Sequence, residues 1–136
     1  MTEDFVQALD RTAKAHDAMW AGDPEPMIGL FAHRDPVSLF GAWGPCRTEW
    51  PEVERTVRWA GSRFSNGVVT AENVVAYSSG ELAYSVGYER GRVAVDGGEP
   101  EEMRMRVTHI YRLEDGQWRL VHRHADFAPT EQSPPG

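Results

Sequence analysis

Cysteine is almost missing from this chain. The lone Cys46 can neither close an internal disulfide nor build a cysteine-type zinc site, which removes disulfide scaffolds and zinc fingers. Positive charge is also short: 14 basic residues, of which only Lys14 is lysine, face 21 acidic ones, for a formal net charge of -7. A nucleic-acid binder usually carries a basic stripe, so no nucleic-acid partner is expected. No apolar run approaches the roughly 18–20 residues that cross a bilayer, so no membrane partner is expected either. Residues 1–20 are acidic and lack the apolar core and small-residue cleavage site of a secretory leader. The expected compartment is the cytoplasm.

What is present is the composition of an ordinary globule. The 136 residues are 40% hydrophobic and 26% charged, enough for one domain and too few for two. Residues 1–129 are expected to form that domain. The polar, proline-rich tail 130–136 is expected to be flexible.

Apolar residues recur three or four apart through Phe5, Leu9, Ala13, His16 and Trp20, which predicts a helix from about Asp4 to Trp20. Gly22, Pro24 and Pro26 end it. A short helix follows around Met27, Leu30 and Phe31, then an extended segment Val37–Phe40 and a loop from Gly41 to Arg47. Thr48 is the expected cap of a third helix over Glu49–Phe64, closed by the turn Ser65-Asn66-Gly67. From Val68 the period becomes two, giving strands over 68–78, 82–95, 102–113 and 117–127 with short turns between them. Segregated helices and hairpins predict an α+β fold: a curved, mixed but mostly antiparallel sheet, shaped as a cone and covered on one face by three N-terminal helices.

Asp115-Gly116 is a strong signal for a two-residue hairpin turn. An unbroken register then pairs Leu113 with Trp118, Tyr111 with Leu120, His109 with His122, Val107 with His124 and Met105 with Asp126. The opposite face is rich in arginine and is expected to look outward, because unpartnered buried charges cost several kcal/mol each, by order of magnitude. The helix-covered face would then hold three histidines and an aspartate. Such groups must bond one another or line a cavity. A one-residue bulge in the last strand would turn some of them outward.

The candidate catalytic residues are therefore His109, His122, His124 and Asp126. An imidazole near its ordinary pKa of about 6.5 gives and takes protons at neutrality, and a neighbouring carboxylate can act directly or orient it. The candidate binding residues are His16 and Trp20 on the first helix, Trp43 in the loop as a lid, and Tyr84, Tyr88, Met105 and Tyr111 as walls. Proton transfer beside a carbonyl needs no cofactor. Three histidines with an aspartate also have the composition of a metal site, a less favoured alternative.

The segment Arg106–Arg112, the turn Glu114–Trp118, the ending Arg119–Phe127 and the early Trp20-Ala21-Gly22-Asp23 with Leu30-Phe31-Ala32 resemble the nuclear-transport-factor-2-like superfamily. The similarity is to its SnoaL-like and ketosteroid-isomerase-like branch and spans roughly Asp4 to Pro129. It implies a cystatin-like roll, commonly a homodimer through the outer sheet surface. It also implies a pocket for a hydrophobic, oxygen-bearing small molecule. The activities implied are those of a cofactor-independent isomerase or polyketide cyclase, or a lyase such as a dehydratase. The superfamily also contains non-catalytic binding and assembly domains. His16 stands where the isomerases carry a tyrosine, and their usual base has no obvious match.

Overall fold

Asp4 starts the first helix through a reciprocal capping box: its carboxylate accepts from the Gln7 N–H at 2.9 Å, and Gln7 Oε1 accepts from the Asp4 N–H at 3.0 Å. In this computed structural model, which describes residues 2–135, α1 spans Phe5–Trp20 and turns Ala8, Thr12, Ala15, His16, Met19 and Trp20 inward. The chain leaves it at Gly22, whose φ of 98° favours glycine and whose absent Cβ would lie 2.9 Å from the Phe64 carbonyl. Helix α2 covers Glu25–Leu30 and α3 covers Trp50–Arg63. Thr48 is not the cap of α3. That position is Glu49, which makes no side-chain cap bond, and Asp35 reaches across instead to accept from the Trp50 N–H at 2.9 Å.

Among the described residues there are six strands: β1 (Ser38–Phe40), β2 (Cys46–Arg47), β3 (Phe64–Ser79), β4 (Leu82–Val95), β5 (Glu101–Glu114) and β6 (Gln117–Phe127). The four hairpin strands and the extended segment were expected, whereas β2 lies within the expected loop and β3 begins at Phe64, where the third helix was expected to end. The six form one curved sheet in the order β2-β1-β6-β5-β4-β3, antiparallel except where β1 meets β6. The fold is α+β. Residues Ser65-Asn66-Gly67 do not make a separate turn: α3 runs straight into β3, and the irregularity there is a bulge with Asn66 at φ 53°. Residues 128–135 carry no helix or strand, and Gly136 of the expected tail lies outside the described residues.

The core forms where the helices meet the concave face. Leu30, Phe31, Val53 and Val57 pack with Met105, Val107, Tyr111 and Leu120, each large apolar side chain contributing about 1.5–3 kcal/mol by burial. Two strands depart from the expected facing. The β5–β6 register holds from Glu114–Gln117 to Tyr111–Leu120, then skips Val121, so that Ile110 pairs with His122, Thr108 with His124 and Arg106 with Asp126. The unpaired residue moves His122, His124 and Asp126 to the outer face and brings Arg123 inside. In β4 the inward residues are Ala83, Ser85, Gly87 and Glu89, while Tyr84 and Tyr88 point outward. Small residues are needed on this concave side because β3 curls over it: a Cβ on Gly87 would lie 1.8 Å from the Glu72 carbonyl oxygen.

Candidate functional site

Four side chains from four elements meet beneath α1. His16 comes from α1, Glu89 from β4, His109 from β5 and Arg123 from β6, placed by the Val121 bulge. Arg123 grips Glu89 through two parallel bonds of 2.9 Å, and its Nη1 also donates to His109 Nε2 at 2.9 Å. Accepting that bond makes His109 a neutral imidazole with its proton on Nδ1. Burial, and then the Arg123 charge, hold it well below its ordinary range. For Glu89, burial alone would raise the carboxyl, but the Arg123 charge and hydrogen bonds outweigh it and keep the group ionised.

His16 is the unfinished member. Its Nδ1 lies 3.2 Å from the Thr12 carbonyl oxygen, which can only accept, so Nδ1 carries the proton and Nε2 is a bare lone pair. That Nε2 is buried without a hydrogen-bond partner and faces Glu89 Oε2 at 3.7 Å. Burial, opposed by the Glu89 charge, lowers this imidazole from 6.5 to about 4. Two acceptors therefore face each other with no proton between them, and an unmet acceptor of this kind costs about 1–3 kcal/mol.

His16 stands at the polar end of a cavity of about 70 Å³. Met19, Trp20, Met27, Phe31, Leu39 and Met105 supply its apolar walls, and Arg123 joins His16 at the polar end. Trp43, on the tight loop Gly41–Pro45, stands among these walls against Phe64 and Phe127, each ring centroid 5.1 Å away. Trp59 and Thr56 of α3 line it too. A second, smaller cavity of about 30 Å³ lies behind the polar group and touches Thr12, Ser85, His109 and Tyr111. Tyr111 is fully buried there. The Thr12 hydroxyl donates to the Ala8 carbonyl at 2.9 Å and accepts from the Tyr111 hydroxyl at 2.8 Å, while burial pushes that phenol up to about 12.

Of the residues expected from the sequence, His16, Trp20, Trp43 and Met105 line the main cavity, and His109 belongs to the buried polar group. Tyr111 packs behind it. His122, His124, Asp126 and Tyr84 are not brought to either cavity, Asp126 being bound by Arg106 at 2.7 and 3.0 Å on the outer face. Tyr88 borders only the second cavity, and its ring lies under Arg90 and Arg104. A metal site built from His109, His122 and His124 is therefore divided between two faces of the sheet. His16, Glu89 and His109 do present ligand atoms within 4.8 Å of one another. The Arg123 cation already occupies both Glu89 oxygens and the His109 lone pair, so these residues do not fit an ion.

Glu89 and Arg123 were missed. Arg123 was hidden by the bulge, although the apolar positions of β6 change parity, from Trp118 and Leu120 to Ala125 and Phe127. Glu89 lay between Gly87 and Gly91 on a strand whose larger residues drew the inward assignment.

A curved, mostly antiparallel sheet with three helices packed on one face is the architecture of the nuclear transport factor 2-like fold. The chain belongs to the SnoaL-like domain family, which matches residues 9–129. A search of curated proteins found no relative. Among solved structures, a nuclear transport factor 2-like superfamily protein from Salmonella enterica matches with a TM-score of 0.75 at 18% identity, over 92% of this chain and 89% of that one. A Streptomyces avermitilis protein, provisionally named a dehydratase of the same family, matches at 0.73 with 20% identity, over 90% and 93% of the two chains. A ketosteroid isomerase-like protein from Erwinia carotovora atroseptica matches at 0.75 with 13% identity, again over 90% and 93%. At these identities the likeness fixes the fold.

Proposed function

We propose that this protein binds a small, hydrophobic, oxygen-bearing molecule in the main cavity and moves a proton on it, with His16 Nε2 as the base. The observation that carries this reading is the partnerless, buried Nε2 of a histidine that also lines an apolar chamber. A ligand hydroxyl, or a C–H acidified by a neighbouring carbonyl, supplies the proton that this lone pair lacks. Glu89 at 3.7 Å would stabilise the imidazolium that forms. Of the five N–H donors of a guanidinium, three in Arg123 are used by Glu89 and His109. The remaining two are suited to hold an enolate oxygen. The chemistry is that of a cofactor-independent isomerase or cyclase. It is compatible with the names of the isomerase-like and dehydratase neighbours.

At about 70 Å³ the chamber takes only the head of such a ligand, since a cavity that holds benzene is roughly 150 Å³. The rest of the molecule would occupy the space opened when the Trp43 loop swings away. We further read the protein as cytoplasmic, with an exposed, unpaired Cys46. It would be a homodimer through the outer sheet face, where Tyr77, Tyr84, Val86 and Ile110 are exposed.

The test is exchange of the α-protons of cyclic and aryl ketones in heavy water, followed by NMR. The wild type should accelerate exchange over buffer, and His16→Gln should lose about a hundredfold or more of that effect. Saturable binding without exchange would leave a binding domain with no turnover, and absence of both would overturn the pocket reading.

A further inference from the structure

The outer face of the sheet carries a band that the cavity does not use. Tyr77, Tyr84, Ile110, His122 and Ser38 follow one another across β3, β4, β5, β6 and β1, and Val75, Val86, Thr108, His124 and Phe40 form the next row. A row holding Arg112 and Arg119 borders it on one side, and the Arg106–Asp126 and Arg90–Glu72 ion pairs border it on the other. An apolar centre with a rim of both signs is self-complementary, which suits a second copy of the same chain. Resting on the homodimer reading above, we propose that His122 and His124 make this self-association conditional on pH: two copies join through the band only while both imidazoles are neutral.

The surroundings of the two rings support this. The His122 and His124 centroids lie 6.3 Å apart, and the Phe40 ring stands edge-on to both, at 5.5 and 5.6 Å. His122 Nδ1 is 2.7 Å from Ser38 Oγ. Across β5, Thr108 and Ile110 face them, and neither carries charge. The carboxylate one row away, Asp126, is already bound bidentately by Arg106. On the other side the nearest row holds Arg119 and Arg112, the latter bound to Glu114, whose carboxylate Arg34 also holds. A proton on either ring would find no free carboxylate and would repel its neighbour. Burial and the His124 charge already lower His122 below its ordinary range in the single chain. Covering the rings with a second apolar band removes the water that solvates a charge there, so protonation favours the separated chains.

The experiment is sedimentation equilibrium at about pH 8 and about pH 5.5, chosen to lie on either side of an ordinary imidazole pKa near 6.5. Each imidazole that must be neutral in the complex weakens association about tenfold at one unit below its pKa, so two such groups per copy raise the dissociation constant by up to about ten-thousandfold. The double variant His122→Gln/His124→Gln should associate equally at both pH values. The single variant His124→Gln, with far-UV circular dichroism on each sample, guards against a folding defect in the double one. Equal affinity of the wild type at both pH values overturns the proposal and leaves the homodimer standing. Acid dissociation that persists in both variants also overturns it. A 15.3 kDa particle at every pH overturns the homodimer reading itself.

Discussion

Glu89 and Arg123 depend on one another more than on any other partner. With side chains only 3% and 12% exposed, neither has water to fall back on. Glu89→Gln would leave the guanidinium buried and half-paired, and the expected cost is about 3–5 kcal/mol, read as a drop in the urea unfolding midpoint. The two interior imidazoles add a pH dependence whose sign follows from their neutrality. His16, lowered to about 4, and His109, held well below its ordinary value, bind fewer protons folded than unfolded. Their contribution is complete above the unfolded value of about 6.5 and is lost as pH falls toward the folded values. For His16 alone, going from about pH 7 to about pH 4.5 should remove on the order of 2 kcal/mol, and His16→Gln should flatten that part of the profile. Glu89, with its folded value depressed, adds stability that is lost only at still lower pH, below the ordinary carboxylate range.

The β5–β6 hairpin shows how far a strand can be read from its residues. Asp115-Gly116 specifies the turn, and the first four pairs follow from it. Nothing in a period of two announces that Val121 will be left over, yet that one residue decides whether Arg123 or His124 enters the core. Because Val121 is unpaired, its deletion preserves the facing of every residue after it. A variant lacking Val121 should fold, keep Arg123 on Glu89 and lose about 1–2 kcal/mol of packing, as checked by NMR of the Arg123 Nη–H groups and by thermal unfolding. The β4 strand misleads for another reason: Tyr84, Val86 and Tyr88 do form a stripe, but it belongs to the second apolar surface of the molecule. The concave side is read instead from the small residues that let β3 approach. Gly87→Val should therefore be among the most damaging single changes in the sheet, at about 3 kcal/mol or more, since the obstruction is the Glu72 backbone oxygen and cannot rotate away. The helices were legible from the spacing of Phe5, His16 and Trp20 and of Val53 and Val57, although Ala13 of the first stripe is exposed and Ala8, Ala15 and Met19 fill the buried face of α1. The cavity was legible through His16, Trp20, Trp43 and Met105, whereas its two charged members required the register to be known.

The molecule presents two apolar surfaces on opposite sides of one sheet, an enclosed one under the helices and an open one on the convex face. The cavity lining and the convex band share no side chain, so the two surfaces should be separable by mutation. Ile110→Asp with Tyr84→Asp is expected to abolish self-association while leaving ligand binding within about twofold, measured by light scattering and calorimetry on the same sample. The reciprocal change, His16→Gln, should alter ligand handling and leave the particle mass unchanged. The same division sorts the five histidines by chemical reactivity. His16 and His109 are enclosed, whereas His33 and His124 are exposed and His122 is half-buried. An imidazole-acylating reagent, counted by mass spectrometry, should therefore mark His33 and His124 on the folded single chain, with His122 slower. His16 and His109 should stay unmodified until the fold opens, so that a fourth or fifth adduct becomes a direct counter of unfolded molecules.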